Sequence, residues 1–181
     1  MSVRIALFRG VNVGGKGIIS MAELRSAFVD AGFIDAVTYI NSGNVLFTSV
    51  EKTLTLQASI AQMVSVKFGL QTPVAVISME ELADALAQAP DWWGIDNDDR
   101  HNAIFVIPPE KAEAVCAEVG DIKPEYEKLA WYGQLIFWSA PMKTFSKTRW
   151  SSVSKYPVYQ KLTIRNHRTA RKLLELAKQL A

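Results

Sequence analysis

The sequence predicts an α+β protein made of two ferredoxin-like units, each with the order β-α-β-β-α-β, followed by an extra C-terminal helix. Short apolar runs and stretches of helical periodicity alternate in that order twice. In each half a polar turn joins two strand-like runs, which indicates an antiparallel hairpin. The 181 residues suit two units of about 90 residues each. We therefore predict a first unit over residues 1–89, a connection over 90–100, and a second unit with the terminal helix over 101–181.

The first half of the chain opens with a strand-like apolar run that ends at Arg9. Ser20 and Glu23 form a capping box, because the hydroxyl can accept from the Glu23 amide while the carboxylate reaches back. Asn and Gly tolerate the positive φ of a tight turn, so Asn41-Ser42-Gly43-Asn44 predicts a hairpin. The predicted elements are a strand over 3–8, a helix from 21 that Gly32 closes, strands over 37–40 and 45–48, a helix over 54–68 and a strand over 73–77.

The second half repeats this order. Ser78 and Glu81 form another capping box, which predicts a helix to about residue 89. Residues 90–100 are acidic and rich in turn formers, as a connection would be. Pro108 and Pro109 suit the first turn of a helix. The remaining predicted elements are a strand over 103–107, a helix from 108 to 119, strands over 126–131 and 135–139 in a hairpin, a helix over 146–155, a strand over 161–164 and a final helix over 168–180.

Composition excludes several classes of protein. With 49% hydrophobic and 21% charged residues, the chain is typical of a globular protein and not of a disordered one. No apolar run approaches the roughly 18 residues of a membrane span, and no signal-peptide pattern follows Met1, so we predict a cytoplasmic protein. Cys116 is the single cysteine and is expected to be a buried apolar thiol. With two histidines and no CxxC or HExxH pattern, we predict neither a metal site nor a cofactor.

Basic residues are concentrated near the C-terminus. Residues 141–181 hold ten of the 20 Lys and Arg residues but one of the 18 Asp and Glu residues. Phe145, Trp150, Tyr156 and Tyr159 alternate with these cations, a pattern typical of proteins that bind nucleic acid by stacking and phosphate contacts. The asymmetry indicates an anionic partner such as a nucleotide or nucleic acid. The structural alternative is that the basic segment packs against the acidic remainder of the chain.

Several segments resemble a known family. The sequence from Leu7 to Gly15, LFRGVNVGG, resembles the opening LLRGINVGG of the family named domain of unknown function 1697. Further similar segments are MAELR at 21–25, TYINSGNV at 38–45 and TIRN at 163–166. The family commonly has Gln where Asn41 stands and Trp where His167 stands. The resemblance implies a doubled ferredoxin-like architecture, and it brings no activity and no catalytic residue, because none is assigned to the family.

The glycine-rich loop after the first strand is one candidate site. Residues 10–16 fit the pattern GxxxxGK, but Gly17 stands where a P-loop needs Ser or Thr, and the hairpin at 41–44 indicates an antiparallel sheet. Clustered glycine amides can still bind an anion. Because the first and third strands of a ferredoxin-like sheet are neighbours, this loop and the 41–44 turn should share one rim. The candidate ligand-binding residues of this rim are Arg9, Asn12, Gly14, Gly15, Lys16, Asn41, Ser42 and Asn44. The alternative is that these glycines and asparagines serve only turn geometry.

A second candidate site lies at the start of the final helix, with Arg165, Asn166 and Arg168 as ligand-binding residues. Cations at a helix N-terminus oppose the helix dipole, but they suit a bound anion there. Asn166 or Thr169 is expected to cap this helix. We expect that reversing Arg165, Arg168 and Arg171 to Glu leaves the fold intact and removes anion binding.

The best-supported function from sequence is therefore binding of a phosphate-bearing or other anionic ligand, either a nucleotide or a nucleic acid. One alternative is an enzyme that acts on a small anionic substrate at the glycine-rich rim. Another is a structural or oligomerising module. The sequence indicates no catalytic residue.

Overall fold

The computed structural model describes residues 1–13 and 18–181. It confirms a mixed α+β protein with two four-stranded antiparallel sheets. Contacts between residues divide the chain into a first unit, residues 1–83 with 172–181, and a second unit, residues 84–171. Residues 90–100, predicted as a connection, thus group with the second unit, and the last ten residues group with the first. Among the described residues, no helix has the length and apolar character needed to cross a membrane.

The sheet of the first unit has the strand order β2-β3-β1-β4. Its elements are β1 (Ser2–Phe8), α1 (Met21–Asp30), β2 (Ile34–Tyr39), β3 (Asn44–Ser49), α2 (Thr53–Phe68), β4 (Val74–Ser78) and α3 (Met79–Ala87), the last of which extends into the second unit. The core packs one face of this sheet against buried positions of α1 and α2, because Phe8 and Phe47 point to that face and meet Phe28.

Local signals in this unit act as the sequence predicts. Ser20 caps α1 by accepting from the Glu23 amide at 3.5 Å. The box before α3 is reciprocal: Ser78 Oγ accepts from the Glu81 amide at 3.1 Å, and Glu81 accepts from the Ser78 amide at 2.8 Å. Gly69 ends α2 in the left-handed conformation, φ 64°.

The sheet of the second unit has the order β6-β7-β5-β8. Its elements are β5 (Asp99–Val106), α4 (Ala112–Val119), β6 (Lys128–Tyr132), β7 (Leu135–Pro141), β8 (Leu162–Asn166) and the beginning of α5 (His167–Leu180). Its core joins one face of the sheet to α4 and to buried residues near the C-terminal end of the unit, Trp150, Val153 and Val158.

Two predicted helices of the second unit differ in the structure. The helix predicted over 146–155 is wrong, because residues 142–161 form three short 3-10 helices, Met142–Lys147, Trp150–Lys155 and Pro157–Lys161. Below we call residues 142–161 the 3-10 segment. The buried residues of this segment, Trp150, Val153 and Val158, do not recur at the spacing of one regular helix face. Their packing into the core therefore favours short 3-10 turns. Helix α4 begins at Ala112 and not at the prolines, which precede it in a turn closed by a bond from the Glu110 amide to the Ile107 carbonyl at 3.2 Å.

Candidate functional site

The predicted rim of the first unit brings the loop and the hairpin turn together through Asn12. Its Nδ2 donates to the Asn41 carbonyl at 2.9 Å and to the Ile19 carbonyl at 2.8 Å. Its Oδ1 accepts from the Ile19 amide at 2.8 Å. The Asn12 amide therefore braces both ends of the loop and the neighbouring turn.

The remaining rim residues are also used in local structure. Asn44 is fully buried, and its Nδ2 donates to the Tyr39 carbonyl at 3.0 Å and to Ser42 Oγ at 2.9 Å. Arg9 is half-buried, and its carbonyl accepts from the Thr72 hydroxyl. The predicted ligand-binding residues Gly14, Gly15 and Lys16 lie outside the described residues. The side-chain amides of Asn12 and Asn44 thus stabilise the loop and the turn.

The cluster at the start of α5 divides into residues with different surroundings. Asn166 caps the helix, since its Oδ1 accepts from the Thr169 amide at 2.7 Å. Arg168 is exposed, and its Nη2 donates to Asn97 Oδ1 at 3.2 Å. Asn166 is exposed as well, which leaves its amide nitrogen available.

Arg165, one of the predicted ligand-binding residues, is buried. Only 8% of it is exposed, and its Nη1 donates to Thr163 Oγ1 and to the Ile164 carbonyl, both at 2.9 Å. Burial lowers the pKa of its guanidinium to about 10, so it remains charged at neutral pH. Arg165→Glu would bury a carboxylate where a packed cation stands, so we expect this part of the triple reversal to destabilise the protein.

A cavity of about 390 Å³ lies in the second unit, on the face of the sheet that carries the 3-10 segment. Strands β5, β7 and β8 provide Arg100, Asn102, Ile104, Trp138, Ile164, Arg165 and Asn166 to its lining. The 3-10 segment provides Phe145, Trp150, Ser151, Val153, Ser154 and Tyr159. None of these described lining residues is acidic, so the cavity has a positive and polar character.

Sheet register explains how the polar side chains meet in this cavity. Asn102 of β5 is the direct partner of Asn166 of β8. Residues two apart on a strand share a face, so Arg100, Asn102 and Ile104 point the same way. Arg165 pairs with Ala103, the residue next to Asn102, and successive residues of a strand point to opposite faces. Its guanidinium therefore lies on the other face of the sheet, where it donates to Thr163.

Arg100 is held at the cavity by an aromatic ring. Its guanidinium carbon lies 4.6 Å from the centroid of Phe145, and Phe145 packs edge-on against Trp138 at 5.7 Å. Stacking of this kind fixes a guanidinium while its N–H groups stay at the edge, free to donate. Within the described part of the chain, neither the Arg100 guanidinium nor the Asn102 side-chain amide forms a hydrogen bond.

Sequence reasoning found Asn166 but missed Arg100 and Asn102. It placed Arg100 in the connection and began the strand at 103, whereas β5 begins at Asp99. Asn102 pairs with Asn166 of β8, which lies more than 60 residues further along the chain, and only the tertiary structure brings these two residues together.

A buried carboxylate positions two aromatic residues of the cavity. Glu127 is 2% exposed, and its Oε2 accepts from Trp138 Nε1 at 2.9 Å and from the Trp150 amide at 3.1 Å. Its Oε1 accepts from the amides of Arg149 at 2.7 Å and Lys123 at 3.1 Å. Glu127 therefore ties the hairpin to the start of the second 3-10 helix.

Other chemistry-bearing residues do not form a reactive site. Cys116 is buried, and burial raises the pKa of its thiol to about 12, which opposes formation of a nucleophilic thiolate. His101 Nδ1 contacts Ser139 Oγ, but each residue is only 2% exposed, which excludes substrate. Among residues 1–13 and 18–181, no three His, Cys, Asp or Glu side chains cluster as metal ligands would.

The two histidines lie against each other in the second unit, His101 buried and His167 half-buried. His101 Nε2 lies 2.7 Å from the Asp96 carbonyl, which can only accept, so this nitrogen carries the proton and Nδ1 accepts from the Ser139 hydroxyl. The His167 ring lies 5.3 Å from the His101 ring. Burial lowers the pKa of His167, and the nearby His101 and Arg168 lower it further.

We predict that His167→Gln flattens the acid side of the pH–stability profile. Because the folded-state pKa of His167 lies below its ordinary 6.5, the unfolded chain takes up a proton first as the pH falls through 6.5. Wild-type stability should therefore decrease below that pH, and this contribution is absent from the variant. Melting temperatures of both proteins between pH 7.5 and 5 measure the effect. Parallel profiles would contradict the prediction.

Comparison with known proteins agrees with this architecture. A conserved bacterial protein from Streptococcus pneumoniae has a similar structure, with a TM-score of 0.86 and 31% sequence identity over 97% of this chain and 98% of the other. No curated protein matches the sequence. Residues 1–137 match the family described as protein of unknown function, DUF1697. The chain belongs to that family, which confirms the family that its sequence resembles.

Proposed function

We propose that the protein binds a small phosphate-bearing or other anionic organic ligand in the cavity of the second unit. The supporting observation is that this cavity has an arginine with unused hydrogen-bond donors and no acidic residue in its described lining. A volume of about 390 Å³ lies within the range of about 300–1,000 Å³ typical of small-molecule sites. Charge-assisted hydrogen bonds from a guanidinium to a phosphate or carboxylate are stronger than hydrogen bonds between neutral groups.

Among the predicted binding residues, Asn166 supports this proposal best, because it lines the cavity and keeps its amide nitrogen free. We assign the charged contact to Arg100 in place of Arg165, whose donors meet Thr163 and the backbone. The enzyme alternative at the glycine-rich rim receives less support. The side-chain amides of Asn12 and Asn44 donate to the carbonyls of Asn41 and Tyr39, at the turn itself. A cytoplasmic location stays a prediction from the sequence.

We also propose that both units are ferredoxin-like. The support is the identical strand order in the two sheets, with the first and third strands adjacent and the second and fourth at the edges. In the second unit the 3-10 segment takes the place of the second helix. The walls of the cavity come from this replacement, since a regular helix would present a different set of side chains.

Arg100→Gln tests the binding proposal. We expect nucleoside monophosphates and pyrophosphate to quench the fluorescence of Trp138 and Trp150 in the wild type. Loss of one charge-assisted contact should weaken binding by roughly tenfold or more. Lys128→Gln is the matched control, because it removes an exposed cation of β6 that does not line the cavity.

Two results would contradict the proposal. If none of these compounds binds the wild type at millimolar concentration, the function is wrong. If they bind and Arg100→Gln behaves like Lys128→Gln, the ligand occupies another place. Steep loss of heparin or polynucleotide binding with salt, without saturation by small compounds, would favour a polymeric partner.

A further inference from the structure

We infer that the ligand of this cavity is a nucleoside phosphate, with its phosphate at Arg100 and its base at Asn102 and Asn166. This inference rests on the proposed function and specifies its ligand. It depends on three features of the cavity: its size, the separate placement of charge and amides, and its aromatic and aliphatic wall.

The size of the cavity indicates a ligand larger than a bare anion. Its volume of about 390 Å³ is more than ten times the roughly 30 Å³ that one water occupies in the liquid. Three aliphatic side chains, Ile104, Val153 and Ile164, lie among the lining residues. An inorganic anion would leave these apolar groups uncovered, whereas an organic body would contact them.

The charged end of the cavity is defined by Arg100. It lies opposite Ala140 near the beginning of β5, whereas Asn102 is one step further along the same face. The Phe145 ring under the guanidinium limits its orientation. Its edge donors can therefore meet two oxygens of one phosphate, as a planar guanidinium does in bidentate contacts.

The amide pair suits the edge of a nucleobase. The Asn166 oxygen accepts from the Thr169 amide, whereas its amide nitrogen has no hydrogen bond within the described residues and can donate to a ligand. Asn102 has both its oxygen and its nitrogen unused within the described residues, and it can present a donor and an acceptor together. Base edges carry such adjacent donors and acceptors, and asparagine pairs with them in bidentate fashion. A sugar phosphate has no planar edge of this kind.

The wall of the cavity can accommodate a flat ring. Trp150 and Tyr159 of the 3-10 segment both line the cavity, and the Trp150 backbone amide donates to Glu127 at 3.1 Å. Aromatic side chains hold bases by stacking, with little preference among them. Discrimination between bases would then come from Asn102 and Asn166.

The test compares the four nucleoside monophosphates, their nucleosides, ribose 5-phosphate and inorganic phosphate by isothermal titration. In the wild type we expect at least one nucleotide to bind roughly tenfold or more tighter than ribose 5-phosphate, the gain of a bidentate amide contact. Asn102→Ala should bring these affinities to within about threefold of each other, because the base contact is lost while the phosphate contact remains. Arg100→Gln should weaken every phosphate compound and leave nucleoside binding unchanged.

Failures of the two proposals can be distinguished. If ribose 5-phosphate binds as tightly as all four nucleotides, the base site is wrong and the anion site stands. If Asn102→Ala leaves the nucleotide preference intact, the base lies elsewhere and the inference is overturned. If no phosphate compound binds the wild type, the proposed function itself fails. Melting temperatures of the variants establish that each is folded.

Discussion

Replacing Gly43 by valine is expected to lower the melting temperature of the protein by many degrees. Gly43 has φ +69°, a conformation in which a β-branched residue is strained by about 1–3 kcal/mol. A Cβ at this position would lie 3.0 Å from Phe8 Cβ and 3.1 Å from Val11 Cβ. Both neighbours are fully buried, so relief requires movement of the core, at a further cost of about 1–3 kcal/mol.

Gly133→Val is the matched control for this prediction. Gly133 also has a positive φ, +56°, and also lies in a hairpin turn, but a Cβ there would have no atom within 4 Å. It should therefore show the backbone strain without the crowding, and Gly43→Val should be the more destabilised of the two. Urea unfolding of both variants measures the difference. Equal losses would mean that the close approach of Phe8 and Val11 does not constrain the turn.

Replacing Glu127 by alanine is expected to be the second large loss of stability. The substitution leaves four N–H donors without their acceptor, of which Trp138 Nε1 and the Trp150 amide are buried. A buried donor without a partner costs about 1–3 kcal/mol, so we expect a loss of about 3–6 kcal/mol for the set. The second 3-10 helix should detach first, because the amides of Arg149, which precedes it, and of Trp150, its first residue, are held by this carboxylate.

Glu127→Gln should also destabilise the protein, although it keeps the size of the side chain. Each carboxylate oxygen accepts two bonds, so an amide nitrogen at either place would face two donors. Glu125→Gln, in the same loop but exposed, is the control and should change stability little. Near-ultraviolet circular dichroism during unfolding reports the tryptophans directly. A melting temperature of Glu127→Gln within a degree of the control would show that the carboxylate is dispensable.

The sequence by itself determined the local features of this protein. The capping boxes at Ser20 and Ser78 start helices because a hydroxyl and a carboxylate three residues apart satisfy free amides wherever the chain lies. The positive φ at Gly43 was predictable for a similar reason, since few residues allow that turn. These signals need only neighbouring residues, and they were sufficient to identify the α+β class.

Only the tertiary structure decided the 3-10 segment and the cavity it walls. Residues 146–155 were predicted as one helix, but the amides of Arg149 and Trp150 donate to Glu127, more than 20 residues away, and the chain there forms short 3-10 helices instead. Arg165 was predicted to bind a ligand at the start of the final helix, yet its place in β8 turns it to a buried face. Asn102 and Asn166 meet only because β5 and β8 pair in one register. Such contacts depend on which distant strands become neighbours, and short-range sequence patterns do not specify that pairing.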